Sequence, residues 1–174
     1  MEALIKAIKF LQEPYIHLVI GEREEFKKIL NKLAETDFDK EKIFYSMIEG
    51  QNCQKVEDLF QEFATKLKFP NYFGENWAAF DECLNDLEWI DSEKFVLFIK
   101  DFDKVLIGDE EGFQVFVNIL ISTINEWISG RDYDSFPTPP TPFHLVIHCN
   151  KENVEKLDTR FSKVKFSKFN KVIL

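Results

Sequence analysis

The amino-acid sequence predicts an α/β fold in which helices cover a mainly parallel β-sheet. Apolar runs of strand length alternate along the chain with longer segments whose apolar residues recur every three or four positions, a pattern typical of strand–helix–strand units. The run at 95–99 is apolar at every position, which indicates a strand covered on both faces. We therefore expect right-handed crossovers that place helices over a buried sheet.

The first 40 residues predict a helix, a strand and a second helix, followed by a polar connector. Residues 2–12 are expected to form a short amphipathic helix whose apolar side consists of Leu4, Ile5, Ile8 and Leu11. The apolar run 15–20 has the length of a strand. Residues 22–34 show helical spacing of Phe26, Ile29, Leu30 and Leu33. The connector spans 37–41.

The central part of the chain predicts the order strand, helix, helix, strand, helix, strand. The strands are expected at 42–48, 95–99 and 143–148, and the helices at 54–67, 77–87 and 113–129. The acidic stretch 101–112 is expected to be a loop with a helical turn at 102–106. Four prolines make 132–142 an irregular loop.

The two ends of the chain are interpreted as additions to the same sheet rather than as a separate domain. After the central part, a helix is expected at 152–161 and a last strand at 171–174. A chain of 174 residues fits one well-filled core better than two. We therefore expect a single domain over 1–174, with a core at 42–149 and additions at 1–40 and 150–174.

The charge of the chain argues against nucleic acid as a direct partner. The formal net charge is −9, from 31 acidic and 22 basic residues. Such a surface repels phosphate backbones and suits a basic protein partner. The longest apolar runs are interrupted by polar residues and are far shorter than a membrane span.

The cysteines and the N-terminal residues predict a cytoplasmic location. Three cysteines without a Cys-x-x-Cys pair give neither a disulfide framework nor a zinc site, so reduced thiols in a reducing compartment are expected. The N-terminal residues lack the long apolar core of a secretory signal.

No pattern in the chain predicts an enzyme, a metal site or a cofactor. The motifs Gly-x-x-x-x-Gly-Lys, Gly-x-Gly-x-x-Gly, Gly-x-Ser-x-Gly and His-Glu-x-x-His are absent from the sequence. His148 and Cys149 are neighbours on a strand, so their side chains point to opposite faces and cannot form a dyad. His17 and His144 also project from strands, where core or edge positions are more common than metal ligation.

The segment 69–84 predicts a tight turn that leads into an amphipathic helix. Pro70 ends the preceding helix, Gly74 supplies backbone freedom, and Asn76 is a suitable N-cap. The inward side of the helix then consists of Trp77, Phe80, Leu84 and Leu87. The acids left facing solvent are Glu75, Asp81, Glu82, Asp86 and Glu88.

This segment resembles the signature of the barstar family, small acidic proteins that inhibit bacterial ribonucleases. The matching residues are Pro70, Tyr72, Phe73, Gly74, Glu75, Asn76, Ala79, Phe80, Cys83 and Leu84. A looser resemblance in element order covers 42–149. It implies a barstar-like parallel sheet of three core strands covered by helices and extended by N- and C-terminal elements.

The resemblance also implies a partner-binding surface in which two family acids are replaced. The loop-tip aromatic is Tyr72, and the second inhibitory acid of the helix is Glu82. The first acid falls on Ala78 and the acid of the long later helix on Asn118. The candidate partner-binding residues are Tyr72, Phe73, Gly74, Asn76, Asp81, Glu82, Asn85, Asp86 and Asn118.

The resemblance implies a protein that binds and inhibits a basic, secreted or toxin-type ribonuclease or related nuclease through an acidic helix surface. The replaced acids indicate a diverged partner for an antitoxin or immunity protein. Two alternatives are open. One is a non-catalytic interaction module that uses the added ends. The other is an enzyme with a pocket around His17, His144 or Cys149.

Overall fold

The computed structural model describes residues 2–8, 10–34, 42–132, 137–164 and 169–174. Within these ranges the α-helices are α1 (Glu2–Ala7), α2 (Arg23–Ala34), α3 (Val56–Leu67), α4 (Trp77–Asp86), α5 (Glu110–Ser129) and α6 (Val154–Phe161). The strands are β1 (Ile16–Ile20), β2 (Ile43–Glu49), β3 (Lys94–Lys100), β4 (Phe143–Cys149) and β5 (Asn170–Ile173). Short 3₁₀ turns lie at Gly50–Asn52, Phe102–Lys104 and Lys151–Asn153.

The five strands form one parallel sheet in the order β2-β3-β4-β1-β5. The three strands of the predicted core are adjacent in it, because β2 pairs with β3 and β3 pairs with β4. Strand β1 of the N-terminal addition pairs with β4, and β5 of the C-terminal addition pairs with β1. The predicted α/β class and the extension of the sheet by both ends are therefore confirmed.

Two apolar clusters cover the two faces of the sheet. The larger cluster joins the sheet to α3, α4, α5 and α6 through rings such as Phe60, Phe80 and Phe116. The smaller cluster joins it to α1 and α2 through residues such as Leu4 and Phe26. Each helix therefore buries one apolar face against the sheet, and this burial supplies the main favourable term in folding.

The first helix is shorter than the sequence predicts. Helix α1 ends at Ala7 rather than at residue 12, and Leu11 is 45% exposed instead of lying on the buried side. The backbone carbonyl of Phe10 accepts a hydrogen bond from His144 Nε2 at 2.9 Å, which draws the chain towards β4. A tertiary contact therefore sets the path of the chain after the helix. Side chains of Ile5 and Leu33 and the connector 37–41 lie outside the described residues.

The long helix begins earlier than predicted, at Glu110 rather than at residue 113. Asp109 is its N-cap, because its Oδ1 atom accepts a hydrogen bond from the backbone N–H of Gly112 at 2.9 Å. The acids Glu110 and Glu111 lie in the first turn, where the helix dipole favours negative charge. The acidic stretch that resembled a loop is therefore in part a helix start.

Candidate partner-binding surface

The turn before α4 is held by aromatic packing and leaves one ring exposed. The Phe73 ring centroid lies 5.1 Å from that of Phe69 and 5.8 Å from that of Phe60. The backbone N–H of Phe73 donates to the carbonyl of Pro70 at 2.9 Å. Tyr72, between these anchors, is 73% exposed. The turn is thus a fixed support that presents the Tyr72 ring to solvent.

The start of α4 depends on the Asn76 side chain. Its Oδ1 atom accepts from the backbone N–H of Ala79 at 3.0 Å, and its Nδ2 atom donates to the carbonyl of Gly74 at 3.1 Å. In this turn the left-handed backbone conformation lies at Glu75, with φ of 47°. Glycine is nevertheless favoured at position 74, since an added Cβ would lie 3.0 Å from Asn76 Nδ2.

The inner side of α4 is packed into the larger cluster. The Phe80 ring is fully buried, and its centroid lies 5.0 Å from that of Phe63 and 6.1 Å from that of Phe116. The indole N–H of Trp127, on α5, donates to the carbonyl of Leu84 at 3.0 Å. These contacts fix the helix, so its outer side chains start from a rigid backbone.

The outer side of α4 brings Tyr72 together with several carboxylates. Glu82 is exposed and Asp86 is partly buried. The pKa of the Tyr72 phenol is raised, first by desolvation and then by nearby acidic groups that include Asp86, Glu88 and Glu82. The phenol therefore keeps its proton and can donate a hydrogen bond to a partner.

Asn85 lies behind this surface rather than on it. Its side chain is 8% exposed, and its Nδ2 atom donates to the carbonyl of Asp81 at 3.0 Å and to Asp81 Oδ1 at 3.1 Å. Burial raises the pKa of the Asp81 carboxyl, and the hydrogen bond from Asn85 partly offsets this effect. Asn85 thus orients a carboxylate instead of presenting its own amide.

Asn118 lies on the neighbouring helix α5 and is exposed. Phe116, two residues earlier, packs on Phe80 of α4. Among the hydrogen bonds and ion pairs of the described residues, none joins the Asn118 side chain to α4. The structure therefore groups Tyr72, Glu82 and Asp86, and leaves Asn118 as a separate polar position on an adjacent helix.

The family model described as "Barstar (barnase inhibitor)" matches residues 43–147, which is more than half of the chain. The chain belongs to the barstar family. The matched region begins at β2 and ends within β4, so it contains the turn, α4 and α5. The N-terminal elements up to α2 and the C-terminal elements from α6 lie outside it.

Among curated proteins, the chain is similar to "Putative ribonuclease inhibitor YrdF" of Bacillus subtilis (strain 168). The two are 33% identical over 57 residues. The match covers 33% of this chain and 59% of YrdF, which is less than two thirds of that relative.

Solved structures with a similar fold come from origin-recognition proteins. The ADP form of Aeropyrum pernix ORC2 has a TM-score of 0.65 at 11% identity, over 99% of this chain and 46% of that one. Drosophila ORC bound to DNA has a TM-score of 0.58 at 10% identity, over 99% and 28%. This barstar-family chain thus spans less than half the length of either. At such low identity the likeness shows the fold alone.

The histidines of the N-terminal addition and β4 form a buried pair. His17 and His144 are fully buried, and His17 Nε2 lies 3.3 Å from His144 Nδ1. A carbonyl can only accept, so His144 donates from Nε2 to Phe10, and its Nδ1 accepts from His17 Nε2–H. Burial and the neighbouring His144 lower the pKa of His17 to about 4. Both rings are therefore neutral core residues at pH 7.

The side chains of His148, the third histidine, and its neighbour Cys149 on β4 point away from each other. His148 stacks on Phe26 in the smaller cluster, whereas Cys149 belongs to the larger one. Burial and nearby acids, chiefly Asp103, raise the pKa of Cys149 to about 12, so its thiol is not an activated nucleophile. In the part of the chain that the structure describes, no group of three or more His, Cys, Asp or Glu residues is arranged to hold a metal ion.

A groove that no sequence pattern predicts lies at the C-terminal end of α4. The groove has a volume of about 750 Å³ and lies between the segment 86–93 and the segment 138–141, with Trp127 and Arg131 of the α5 end also lining it. We call it the 86–141 groove. Its second wall belongs to the proline-rich loop, and periodicity could not place that loop beside α4. Across the described ranges, no helix has the length and apolar character required to cross a membrane.

Proposed function

We propose that this barstar-family protein binds and inhibits a ribonuclease or related nuclease with a basic active site, as an antitoxin or immunity protein in the bacterial cytoplasm. The observation that carries this proposal is the position of Tyr72. Its ring is 73% exposed on a turn that is fixed by aromatic packing. Carboxylates of Glu82 and Asp86 lie close enough to affect its pKa.

Such a surface can inhibit a nuclease by replacing RNA in its active site. Carboxylates occupy the positions of phosphates and accept charge-assisted hydrogen bonds from arginine, lysine or histidine. The net charge of −9 steers a basic partner towards the surface and speeds association. An exposed tyrosine supplies a flat ring with little conformational entropy to lose, which suits the centre of an interface.

The replaced acids support a partner that has diverged from the usual target of the family. Ala78 and Asn118 are both exposed, and neither side chain has a carboxylate. Asp86 and Glu88 instead carry negative charge towards the C-terminal end of α4. Close charged pairs in the barnase–barstar interface contribute roughly 1.5–7 kcal/mol each, so the position of each acid has a large effect on partner choice. A partner with its basic residues displaced in the same direction is therefore favoured.

We also propose that the protein is not an enzyme and that residues 1–174 form one domain. The histidines are engaged with one another or with backbone atoms, and the raised pKa of Cys149 disfavours a nucleophilic role. Strand β1 pairs with β4 of the family core, and β5 pairs with β1, which supports a single folding unit.

The test is capture of partners from the source lysate by the tagged protein, at low and high salt. Glu82→Lys places a positive charge on the proposed surface, and Glu155→Lys makes the same change at an exposed position on α6. We expect a basic nuclease to be retained at low salt by the wild type and by Glu155→Lys but not by Glu82→Lys. The purified nuclease should lose activity in the presence of the wild type. Capture of a nuclease that both variants retain, or one that stays active, would reject the proposal.

A second candidate function is an interaction module that uses the N-terminal addition. Phe10 and Leu11 are 51% and 45% exposed, and adjacent exposed apolar side chains of this kind can contribute to a protein contact. The double change Phe10→Ser and Leu11→Ser separates the two functions in the same capture experiment. Loss of the partner with this variant, together with its retention by Glu82→Lys, would favour the module.

A further inference from the structure

The 86–141 groove combines an apolar floor with an acidic rim. Trp127 and Phe95 belong to its lining, and their ring centroids lie 4.9 Å apart. Trp127 uses its indole N–H in the bond to Leu84 and is 6% exposed. The volume of about 750 Å³ is larger than one side chain needs and lies within the range of typical ligand sites.

The charges that line this groove are mostly negative. The rim carries the carboxylates of Asp86, Glu88 and Glu93, against the single guanidinium of Arg131. Glu93 is paired with Lys42 at 3.0 Å. In the described part of the chain, neither Asp86 nor Glu88 has a salt-bridge partner. Two carboxylates are therefore available to an incoming cation.

Among the ion pairs of the described residues, none joins Arg131 to these carboxylates. Its guanidinium carbon lies 5.0 Å from the centroid of the Trp127 ring, and its backbone N–H and carbonyl are both bonded to Thr138 at 2.8 Å. The residue thus stacks on the floor and ties the second wall of the groove to the end of α5.

The groove is continuous with the surface around Tyr72. Asp86 lines the groove, and both Asp86 and Glu88 raise the pKa of the Tyr72 phenol. An extended basic segment can lay the aliphatic stems of lysine or arginine along the apolar floor while the charged groups reach the rim. A compact basic surface could contact the exposed Tyr72 ring but would not fill the groove.

We propose that the 86–141 groove is a second contact site for the same basic protein partner, and that it binds an extended segment of that partner carrying at least two lysine or arginine residues. This inference rests on the proposed function. It adds a second contact site beside α4 and specifies that the segment bound there is extended and basic.

The test uses the full-length protein and a defined probe, the capped peptide Arg-Leu-Arg-Leu-Arg, with Glu-Leu-Glu-Leu-Glu as the matched control. Amide chemical shifts recorded during titration should change at Glu88, Ser92 and Thr141 with the basic peptide only. The changes should weaken in 0.5 M salt. Self-association through the groove would instead shift the same amides with protein concentration and without peptide, which would overturn the proposal.

A pair of variants reverses the charge on the second wall without altering α4. Pro139 lines the groove and is exposed, and Pro139→Glu and Pro139→Lys change the loop backbone in the same way. We expect the peptide Kd to differ by about tenfold between them, which corresponds to about 1.4 kcal/mol. Pro139→Glu should bind more tightly, because its added negative charge attracts the basic peptide and the positive charge of Pro139→Lys repels it. Equal affinity of the two variants, or shifts confined to Tyr72 and Glu82, would overturn the inference.

The same variants separate this inference from the proposed function. A captured nuclease that is lost with Glu82→Lys but bound equally by both Pro139 variants would leave the inhibitor function standing and reject the groove as a contact site. Binding of the basic peptide in the groove, with no nuclease captured by the wild type, would reject the inhibitor function and the shared partner with it.

Discussion

Acidification from pH 7 to pH 5 should destabilise the protein through the buried pair of His17 and His144. The folded-state pKa of His17 is about 4, whereas an unfolded histidine titrates near 6.5. Below pH 6.5 the unfolded chain therefore binds a proton that the folded chain excludes. The contribution of the neutral His17 ring to stability is complete above pH 6.5 and is lost as the pH falls towards 4.

The size of the effect follows from the two pKa values. Proton linkage gives a loss of about 2 kcal/mol in the free energy of unfolding between pH 7 and pH 5 from His17 alone, and about 3 kcal/mol once the pH is below 4. Burial also lowers the pKa of His144, which adds to the loss with the same sign. A loss of this size is a large fraction of the stability of a typical domain.

Urea unfolding followed by tryptophan fluorescence at pH 7, 6 and 5 measures this loss. His17→Leu removes one titrating ring, so its free energy of unfolding should fall by about 2 kcal/mol less than that of the wild type over the same range. The variant also leaves His144 Nδ1 without its donor, which lowers stability at every pH and does not alter the comparison of slopes. Equal slopes for the two proteins, or a His17 ring that titrates near pH 6.5 in NMR spectra, would refute the reasoning.

Three further predictions concern the support of the surface and the thiols. Asn76→Ala should lower the free energy of unfolding by about 1 kcal/mol, because it removes the N-cap of α4; an unchanged urea midpoint would contradict this. Phe80→Ala should lower the free energy of unfolding by about 3–5 kcal/mol, since the ring is fully buried. Calorimetry should show a large drop in Tm, and a drop of only a degree or two would argue against the packing described. The thiols of Cys53, Cys83 and Cys149 should resist Ellman's reagent at pH 8 until urea is added, because burial raises their pKa to about 11 or 12. Reaction of the native protein with the reagent would contradict this burial.

Much of the fold could be predicted because its signals are local. The sequence predicts helix α4 at 77–87, and the helix spans Trp77–Asp86. The prediction is close because Asn76 caps one end and the apolar spacing marks the inner side. Its last turn closes where Leu87 adopts a left-handed conformation, with φ of 47°. Patterns of this kind lie within a few residues of the element that they specify.

The features that escaped prediction depend on contacts between distant parts of the chain. The end of α1 reflects a bond between Phe10 and His144, which are 134 residues apart. Asn85 is an exception, because its partner Asp81 lies one turn earlier on the same helix, and helical spacing alone cannot distinguish an inward amide from an outward one. The groove requires the loop at 138–141 to lie beside α4, and no periodic signal specifies that approach.

The place of β1 in the sheet makes the two chain ends unequal. Strand β1 lies between β4 and β5, so β5 reaches the sheet only by pairing with β1. Removal of 170–174 would delete an edge strand and uncover β1, whereas removal of 1–21 would leave β5 without a neighbour. A trimmed version of this protein could therefore dispense with its last strand alone, but could not lose its first strand without also giving up the last.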